Sequence, residues 1–255
     1  MHFGPLPEFL YKYRSIDGPN LEYLRRTLFE HEIFFAPPRL LNDPFDCRIT
    51  FECRKRPDRE IRAVLDGELR LVEPGLSRTE RRQRVRDQLR SKKDPDYWAE
   101  LTAEMQDGID ARGVLCLTEV PDNLLMWAHY ASGHRGICLK FRHAGFFSRA
   151  QRVRYNDEPR TIDPFDGSLV GLRIASLLVT KTTAWAYEGE WRIADPRIGP
   201  GVQVFPPALL CGVILGMRTG DSEREQILQW VQMRSDPTEV LQAGEHSGRL
   251  VLKRL

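Results

Sequence analysis

An α+β fold is what this sequence predicts, on three observations. Runs of strand length and composition recur: Phe9-Leu-Tyr-Lys-Tyr-Arg14, Gly113-Val-Leu-Cys-Leu-Thr118, Gly136-Ile-Cys-Leu-Lys-Phe141 and Leu209 to Leu215. Helical spacing of apolar residues is concentrated in one block, from about 54 to 112. Strands then dominate the second half without helices regularly between them, whereas a doubly wound parallel sheet needs that alternation. At 255 residues the chain fits one domain, 1–255, with 54–112 as a helical, basic insertion within it.

Each element has a local reason. The first strand, Phe9 to Arg14, alternates in character, and Asp17-Gly18-Pro19 turns the chain. Asn20 is placed to cap a helix from Leu21 to about Glu30. Ile33-Phe34-Phe35-Ala36 is a short strand stopped by Pro37-Pro38, and Leu40 to Asp46 reads as a loop because Asn, Asp and Pro favour turns. Ile49 to Cys53 is either a short strand or the start of the next helix. In the helical block, Leu65, Leu69 and Val72 fall on one face and Pro74-Gly75 ends that helix. Ser77-Arg78-Thr79-Glu80 has the form of a capping box for a second, very basic helix. Asp94-Pro95-Asp96 opens a third, carrying Trp98, Leu101 and Met105. Beyond the block, a short helix is expected over Asn123 to Ala131, a strand over Arg152 to Tyr155 and a helix over Leu169 to Leu178. Residues 187–193 read as one strand, Ser222 to Gln232 as a helix and Arg249 to Lys253 as the last strand.

Composition narrows the classes. Apolar residues make up 41% and charged residues 29%, enough for a sizeable core but on the charged side of ordinary globular proteins. No run of about 18 apolar residues exists, so no transmembrane helix is expected. Met1-His2-Phe3-Gly4-Pro5 lacks the pattern of a secretory signal, and the expected location is cytoplasmic. Five cysteines, Cys47, Cys53, Cys116, Cys138 and Cys211, form no Cys-x-x-Cys pair. Buried, reduced thiols are expected at Cys116, Cys138 and Cys211, and no zinc spacing is visible. Net charge is +2, yet Arg54 to Lys93 holds fourteen Lys/Arg against seven Asp/Glu, a local +7.

The stretch Tyr187-Glu188-Gly189-Glu190-Trp191-Arg192 carries the most chemistry. As a strand it would put Glu188, Glu190 and Arg192 on one face and Tyr187, Trp191 and Ile193 on the other. Two carboxylates and a guanidinium on a rigid element suit a reaction that develops positive charge. The bland alternative is a surface ion-pair ladder.

A series of motifs resembles a bacterial family in order. They are Leu-Tyr-Lys-Tyr-Arg-Ser (10–15), Leu-Asn-Asp-Pro-Phe-Asp-Cys (41–47), Val-Leu-Cys-Leu-Thr-Glu (114–119) and Asn-Leu-Leu-Met-Trp-Ala-His-Tyr-Ala (123–131). Gly-Ile-Cys-Leu-Lys-Phe (136–141), Trp-Ala-Tyr-Glu-Gly-Glu-Trp-Arg (185–192) and Gly-Val-Ile-Leu-Gly (212–216) follow. The family is the one called domain of unknown function 2971. The resemblance spans nearly the whole chain, with the basic insertion least typical, and it implies no activity. A looser resemblance is to ADP-ribosyltransferase-like folds, which would imply split mixed or antiparallel sheets with helices around them. It would also imply NAD as substrate and a late strand bearing Glu-x-Glu. Lys12 stands where the His-bearing subgroup of those enzymes has its histidine.

That second resemblance gives the residues their expected roles. Glu190 would lie beneath the ribosyl cation formed as nicotinamide leaves, by the logic of carboxylate-assisted glycoside hydrolysis. Glu188 would orient or deprotonate the acceptor. Arg192 would hold Glu190 ionised. Lys12 and Arg14 on the first strand are candidates for the NAD pyrophosphate, and Tyr13 between them is a further candidate for contact with NAD. His129 is the third catalytic candidate, stacking on or bonding to nicotinamide beside Trp127 and Tyr130. Asn42 and Asp43 would bond a ribose or shape their turn.

Arg78, Arg81, Arg82, Arg84, Arg86 and Arg90 could contact nucleic-acid phosphates, although they are scattered around their helix. The function so implied is NAD-dependent ADP-ribosyl transfer to a nucleic acid or protein, in a toxin or phage-defence setting. One alternative is a non-catalytic module that binds a nucleotide or nucleic acid. Another is a metal-dependent nuclease using Asp43, Asp46, Glu188 and Glu190. Neither a phosphate-binding Gly-rich loop nor a Gly-x-Ser-x-Gly elbow is present.

Overall fold

The computed structural model describes residues 5–52, 54–91, 95–158, 161–166 and 169–255. The chain divides into two compact units, Met1–Pro37 with Arg112–Tyr155 and Lys181–Leu255, and Pro38–Ala111 with Asn156–Thr180. It opens in the first unit with strand β1 (Phe9–Arg14), helix α1 (Asn20–Phe29) and strand β2 (Glu32–Phe35). In the second unit follow β3 (Thr50–Phe51), α2 (Asp58–Val72), α3 (Arg78–Ser91) and α4 (Pro95–Asp110). The first unit resumes with β4 (Leu115–Thr118), α5 (Leu124–Tyr130), β5 (Ile137–Arg142), β6 (Gln151–Arg152) and β7 (Arg154–Tyr155). Next come β8 (Thr161–Ile162), α6 (Leu169–Leu177) and the two-residue β9 (Thr180–Lys181). Strands β10 (Glu190–Ile193), β11 (Gly201–Val204) and β12 (Leu210–Leu215), helix α7 (Asp221–Gln232), and strands β13 (Glu239–His246) and β14 (Arg249–Arg254) complete the chain.

The first unit is built on an eight-stranded sheet in the order β14-β13-β12-β5-β1-β4-β10-β6. All its pairings are antiparallel except β12 with β13, so the sheet is mixed. Residues directly opposed across a ladder share a face, and the register therefore fixes what each face carries. Leu10, Leu117, Leu139, Phe141, Trp191 and Ile193 lie on one face and enter the main core with Leu24 and Leu28 of α1 and Ile227 and Val231 of α7. Fully burying such side chains contributes about 1.5–3 kcal/mol each. On the other face the chain of opposed pairs runs from Cys138 to Tyr13 and from Lys140 through Tyr11 and Thr118 to Glu190. There Tyr13, Cys138 and Ile214 pack with Met126 and Trp127 of α5. Trp127 is wholly buried, with Tyr13 edge-on at 5.1 Å and its indole N–H donating to Pro121 O at 3.0 Å.

In the second unit Leu65 and Leu69 of α2 meet Val85 and Leu89 of α3 together with Phe165. The capping box read from the sequence forms: Ser77 N donates to Glu80 Oε2 at 2.8 Å, and Glu80 N donates to Ser77 Oγ at 3.3 Å. β3 pairs with β8 in parallel, and Arg56 bridges Asp163 and Asp166 at 2.7 and 2.6 Å.

The α+β class predicted from the sequence is observed, with local differences. Asn20 is the first residue of α1 and makes no capping bond; Pro19 stands at the N-cap, and the Asn20 amide reaches Ser15 Oγ instead. The 152–155 strand is interrupted at Val153, whose N–H turns to Glu190 O at 2.9 Å. β11 and β13 had no clear sequence signal: β11 is short, and β13 is half-buried over most of its length. Cys53 lies outside the described residues, while Cys47, Cys116, Cys138 and Cys211 are unbridged. Among the described residues no helix is long and apolar enough to cross a membrane.

Candidate functional site

The charged motif does not form one strand. Thr183 to Glu188 is a 3₁₀ segment, Gly189 is left-handed at φ 51°, and only Glu190 to Ile193 is extended. Glycine suits that left-handed turn. A Cβ at position 189 would also lie 2.7 Å from Val120 Cγ2. Glu188 therefore leaves the strand pattern, and Tyr187 does not share a face with Trp191 and Ile193 as expected. Asn123 anchors the turn. Its Oδ1 accepts from Leu125 N and Met126 N, capping α5, and its amide donates to Tyr187 O at 2.9 Å.

Despite the break, both carboxylates converge on one lysine. Lys181 Nζ donates to Glu188 Oε2 at 2.6 Å and lies 3.5 Å from Glu190 Oε2. Arg192 grips Glu190 with a two-pronged fork, Nε to Oε1 at 2.7 Å and Nη2 to Oε2 at 2.9 Å. Tyr130 Oη donates to Glu188 Oε1 at 2.5 Å, and Glu190 N donates to Tyr155 Oη at 2.8 Å. Lys181, Glu188, Glu190 and Arg192 are 2, 3, 4 and 1% exposed, so the charges read from the sequence as one strand face, or as a surface ion-pair ladder, form instead a buried cluster of two anions and two cations. Such charges are tolerated only when mutually paired.

The two carboxylates are not equivalent. Burial opposes the charge of Glu190, but the Arg192 charge and hydrogen bonds, with Lys181, outweigh it and hold its pKa down to about 2. Burial dominates at Glu188 and raises its pKa, against the pull of Lys181. The two glutamates in turn outweigh burial at Lys181 and raise its pKa. Burial, then the bond to Glu188, raises Tyr130 as well, keeping it a donor. Burial likewise raises the Cys116 thiol, which bonds Glu190 and is no nucleophile. Aromatic rings lie on the Glu188 side. Lys181 Nζ sits 4.4 Å over the Trp185 ring, Trp185 and Tyr187 are 6.1 Å apart, and the exposed His129 ring is 6.4 Å from both Tyr187 and Tyr130.

Of the residues picked out from the sequence, Glu188, Glu190, Arg192, Tyr130 and His129 are brought together. Lys12 and Arg14 are not: the parity of β1 puts both on the opposite face from Glu190. The Lys12 ammonium donates to Cys116 O at 2.8 Å, and burial lowers its pKa to about 8. Tyr13 donates to Val120 O and Trp127 is core, so each has a structural duty. Asn42 and Asp43 belong to the second unit, where Asp43 Oδ1 accepts from Phe45 N at 2.9 Å and shapes the turn. Sequence reasoning missed Lys181, Trp185, Tyr155 and Cys116 as site neighbours. Lys181 lies seven residues before Glu188 without periodic relation to it; the signal available was a lone lysine in the apolar-flanked run Leu178-Val179-Thr180-Lys181.

Fold and site thus define an α+β protein with a neutralised four-charge cluster under an aromatic rim. Within this chain, residues 126–193 match a family model described as a protein of unknown function (DUF2971). The matched segment runs from Met126 on α5 to Ile193 at the end of β10 and includes all four charged residues and Tyr130. No curated protein and no solved structure matches the chain.

The pairing has a measurable consequence. Arg192→Met leaves Glu190 buried beside Lys181 alone and should cost about 3–5 kcal/mol in urea unfolding, while Glu190→Leu/Arg192→Met should recover most of that loss. A single-variant cost below about 1 kcal/mol would show that the pair is not buried as described.

Proposed function

We propose that the Glu188 cluster is a glycosyl-transfer site that consumes NAD, of ADP-ribosyltransferase type. One observation carries this reading: a buried carboxylate with a raised pKa, held by Tyr130 and Lys181, lies beside a group of aromatic rings. The nicotinamide ring of NAD is a cation until it leaves, and aromatic faces next to a carboxylate favour a flat cation. The glycosidic C–N bond breaks, its electrons go to nicotinamide, and the ribosyl carbon becomes cationic. An acceptor N–H or O–H then bonds that carbon and gives up its proton. Glu188 is the group to stabilise the cation and take the proton. Glu190, expected from the sequence to lie beneath the ribose, is better suited to fix Lys181, because Arg192 holds its pKa low and makes it the weaker proton acceptor, whereas burial raises that of Glu188. His129 is positioned to contact nicotinamide.

The acceptor class favoured is nucleic acid. In the second unit Arg62 and Arg70 of α2 and Arg78, Arg81, Arg82 and Arg86 of α3 line one cavity of about 540 Å³ with Asp66. Arg70 and Arg81 both pair with Asp66 at 2.8 Å, leaving Arg62, Arg78, Arg82 and Arg86 without an ion-pair partner among the described residues; Arg86 donates to Gln83 Oε1 at 2.7 Å. Arg84 pairs with Glu73 instead, and Arg90 is not in the lining. Sequence alone showed only the α3 arginines, scattered; α2 supplies the facing ones. A metal-dependent nuclease has less support, since no ligand group of three His, Cys, Asp or Glu occurs among the described residues. A non-catalytic nucleotide-binding module is favoured by the completeness of the ion pairing, and turnover separates it.

Incubated with NAD and single-stranded RNA or DNA, the protein should release nicotinamide. Glu188→Gln should lower that rate by about 10²–10⁴ while keeping its melting temperature within a few degrees. Stabilisation by NAD without release points to the binding module, and no release with or without nucleic acid counts against the reading. Arg78→Gln/Arg82→Gln should weaken single-strand binding and reduce the slope of log K against log salt by about 0.7 per lost phosphate contact. An unchanged slope would remove the cavity from the interface.

A further inference from the structure

A cavity of about 310 Å³ lies beside α1 and the antiparallel β2–β11 ladder, reached by Arg14 from the face of the sheet opposite Glu190. Its walls include Arg14, Asn20, Tyr23, Thr27, Phe34 and Val202. Two features set it apart. The Arg14 side chain has no hydrogen-bond or ion-pair partner among the described residues, and desolvation alone lowers its pKa. The other charges in the wall, Arg26 and Glu32, satisfy each other at 2.6 Å, so no carboxylate is left for Arg14. A desolvated guanidinium without a counter-charge is costly, and an anion entering the cavity removes that cost. The second feature is apolar. Tyr23, Phe34 and Val202 are 56, 43 and 48% exposed, and all three belong to this one wall. Grouped exposed apolar side chains around a concavity are a usual mark of a ligand site.

We propose that this cavity binds a small organic anion, a carboxylate or phosphate monoester on a ring-sized apolar body. The acid group pairs with the Arg14 guanidinium, whose fork matches either oxyanion, and the body lies against Tyr23, Phe34 and Val202. A volume of about 310 Å³ sits at the low end of small-molecule sites and limits the occupant to roughly one ring with its acid. The site is separate from the glycosyl-transfer cluster and does not depend on that reading.

Calorimetry on the full chain with benzoate, phenyl phosphate, inorganic phosphate and benzamide tests this. Benzoate or phenyl phosphate should bind saturably, at least tenfold tighter than inorganic phosphate, and neutral benzamide at least tenfold more weakly. Arg14→Gln should lose the anion at least tenfold yet fold. Without ligand its melting temperature should stay within about 2–4 °C of the parent's, because the half-buried guanidinium makes no hydrogen bond or ion pair for the substitution to break. Val202→Trp, which fills the apolar end and keeps Arg14, should also abolish binding. Equal binding of benzamide and benzoate, full binding by Arg14→Gln, or no binding of either aromatic anion at millimolar concentration overturns the proposal.

Discussion

The ion-paired quartet of Lys181, Glu188, Glu190 and Arg192 is the constraint around which the first unit is arranged. Each charge taken from water costs several kcal/mol unless a partner restores it. The pairing works only if three separate stretches of chain are held in register. β10 must pair with β4 so that Glu190 and Arg192 point together, Lys181 must reach both carboxylates, and α5 must deliver Tyr130 to Glu188. Gly189 and Asn123 are the local devices that allow it. The first permits the left-handed turn between the glutamates; the second ties that turn to the start of α5.

The sheet separates two environments by strand alternation. On one face Leu117, Trp191 and Ile193 join an apolar core; on the other, the same strands carry Cys116, Glu190 and Arg192. This much of β10 was legible, because alternation over Glu190 to Ile193 needs no partner to be seen. The extension of that alternation back to Tyr187 was not correct: a glycine in a strand pattern can mark its end as easily as its interior. The face of Arg14 was illegible for a different reason. Alternation fixes faces within a strand, but the parity between β1 and β10 depends on the Tyr11–Thr118 and Thr118–Glu190 pairings, which single-strand patterns do not encode. Lys181 was not singled out because no strand or helix period links it to Glu188; the 3₁₀ segment Thr183 to Glu188 lies between them. The helices of the second unit were legible because 3.6-residue spacing and the α3 capping box are local properties, although Val72, at helical spacing with Leu65 and Leu69, is exposed at the end of α2.

Two carboxylates on one lysine, one fixed as an anion and one raised by burial, form an asymmetric pair of the kind that separates charge stabilisation from proton transfer. The same asymmetry links the site to stability. Glu190, depressed below its ordinary value, contributes stability above pH of about 4.5 that is lost as pH falls toward 2. Glu188, raised, contributes with the opposite sign: its share is present below its ordinary pKa and is lost as pH rises through the folded value. At the acid extreme the share of Glu190 is gone while that of Glu188 is present, and at alkaline pH the two are reversed.

Unequal ionisation of these two side chains is the claim on which the chemistry rests. Carbon-13 NMR of the glutamate side-chain carboxyls, assigned with Glu188→Gln and Glu190→Gln and titrated over the pH range in which the fold persists, measures it directly. The Glu190 resonance should stay that of a carboxylate down to the acid limit, while Glu188 titrates above the ordinary glutamate range. Coincident titration of both near pH 4.5 would contradict the account.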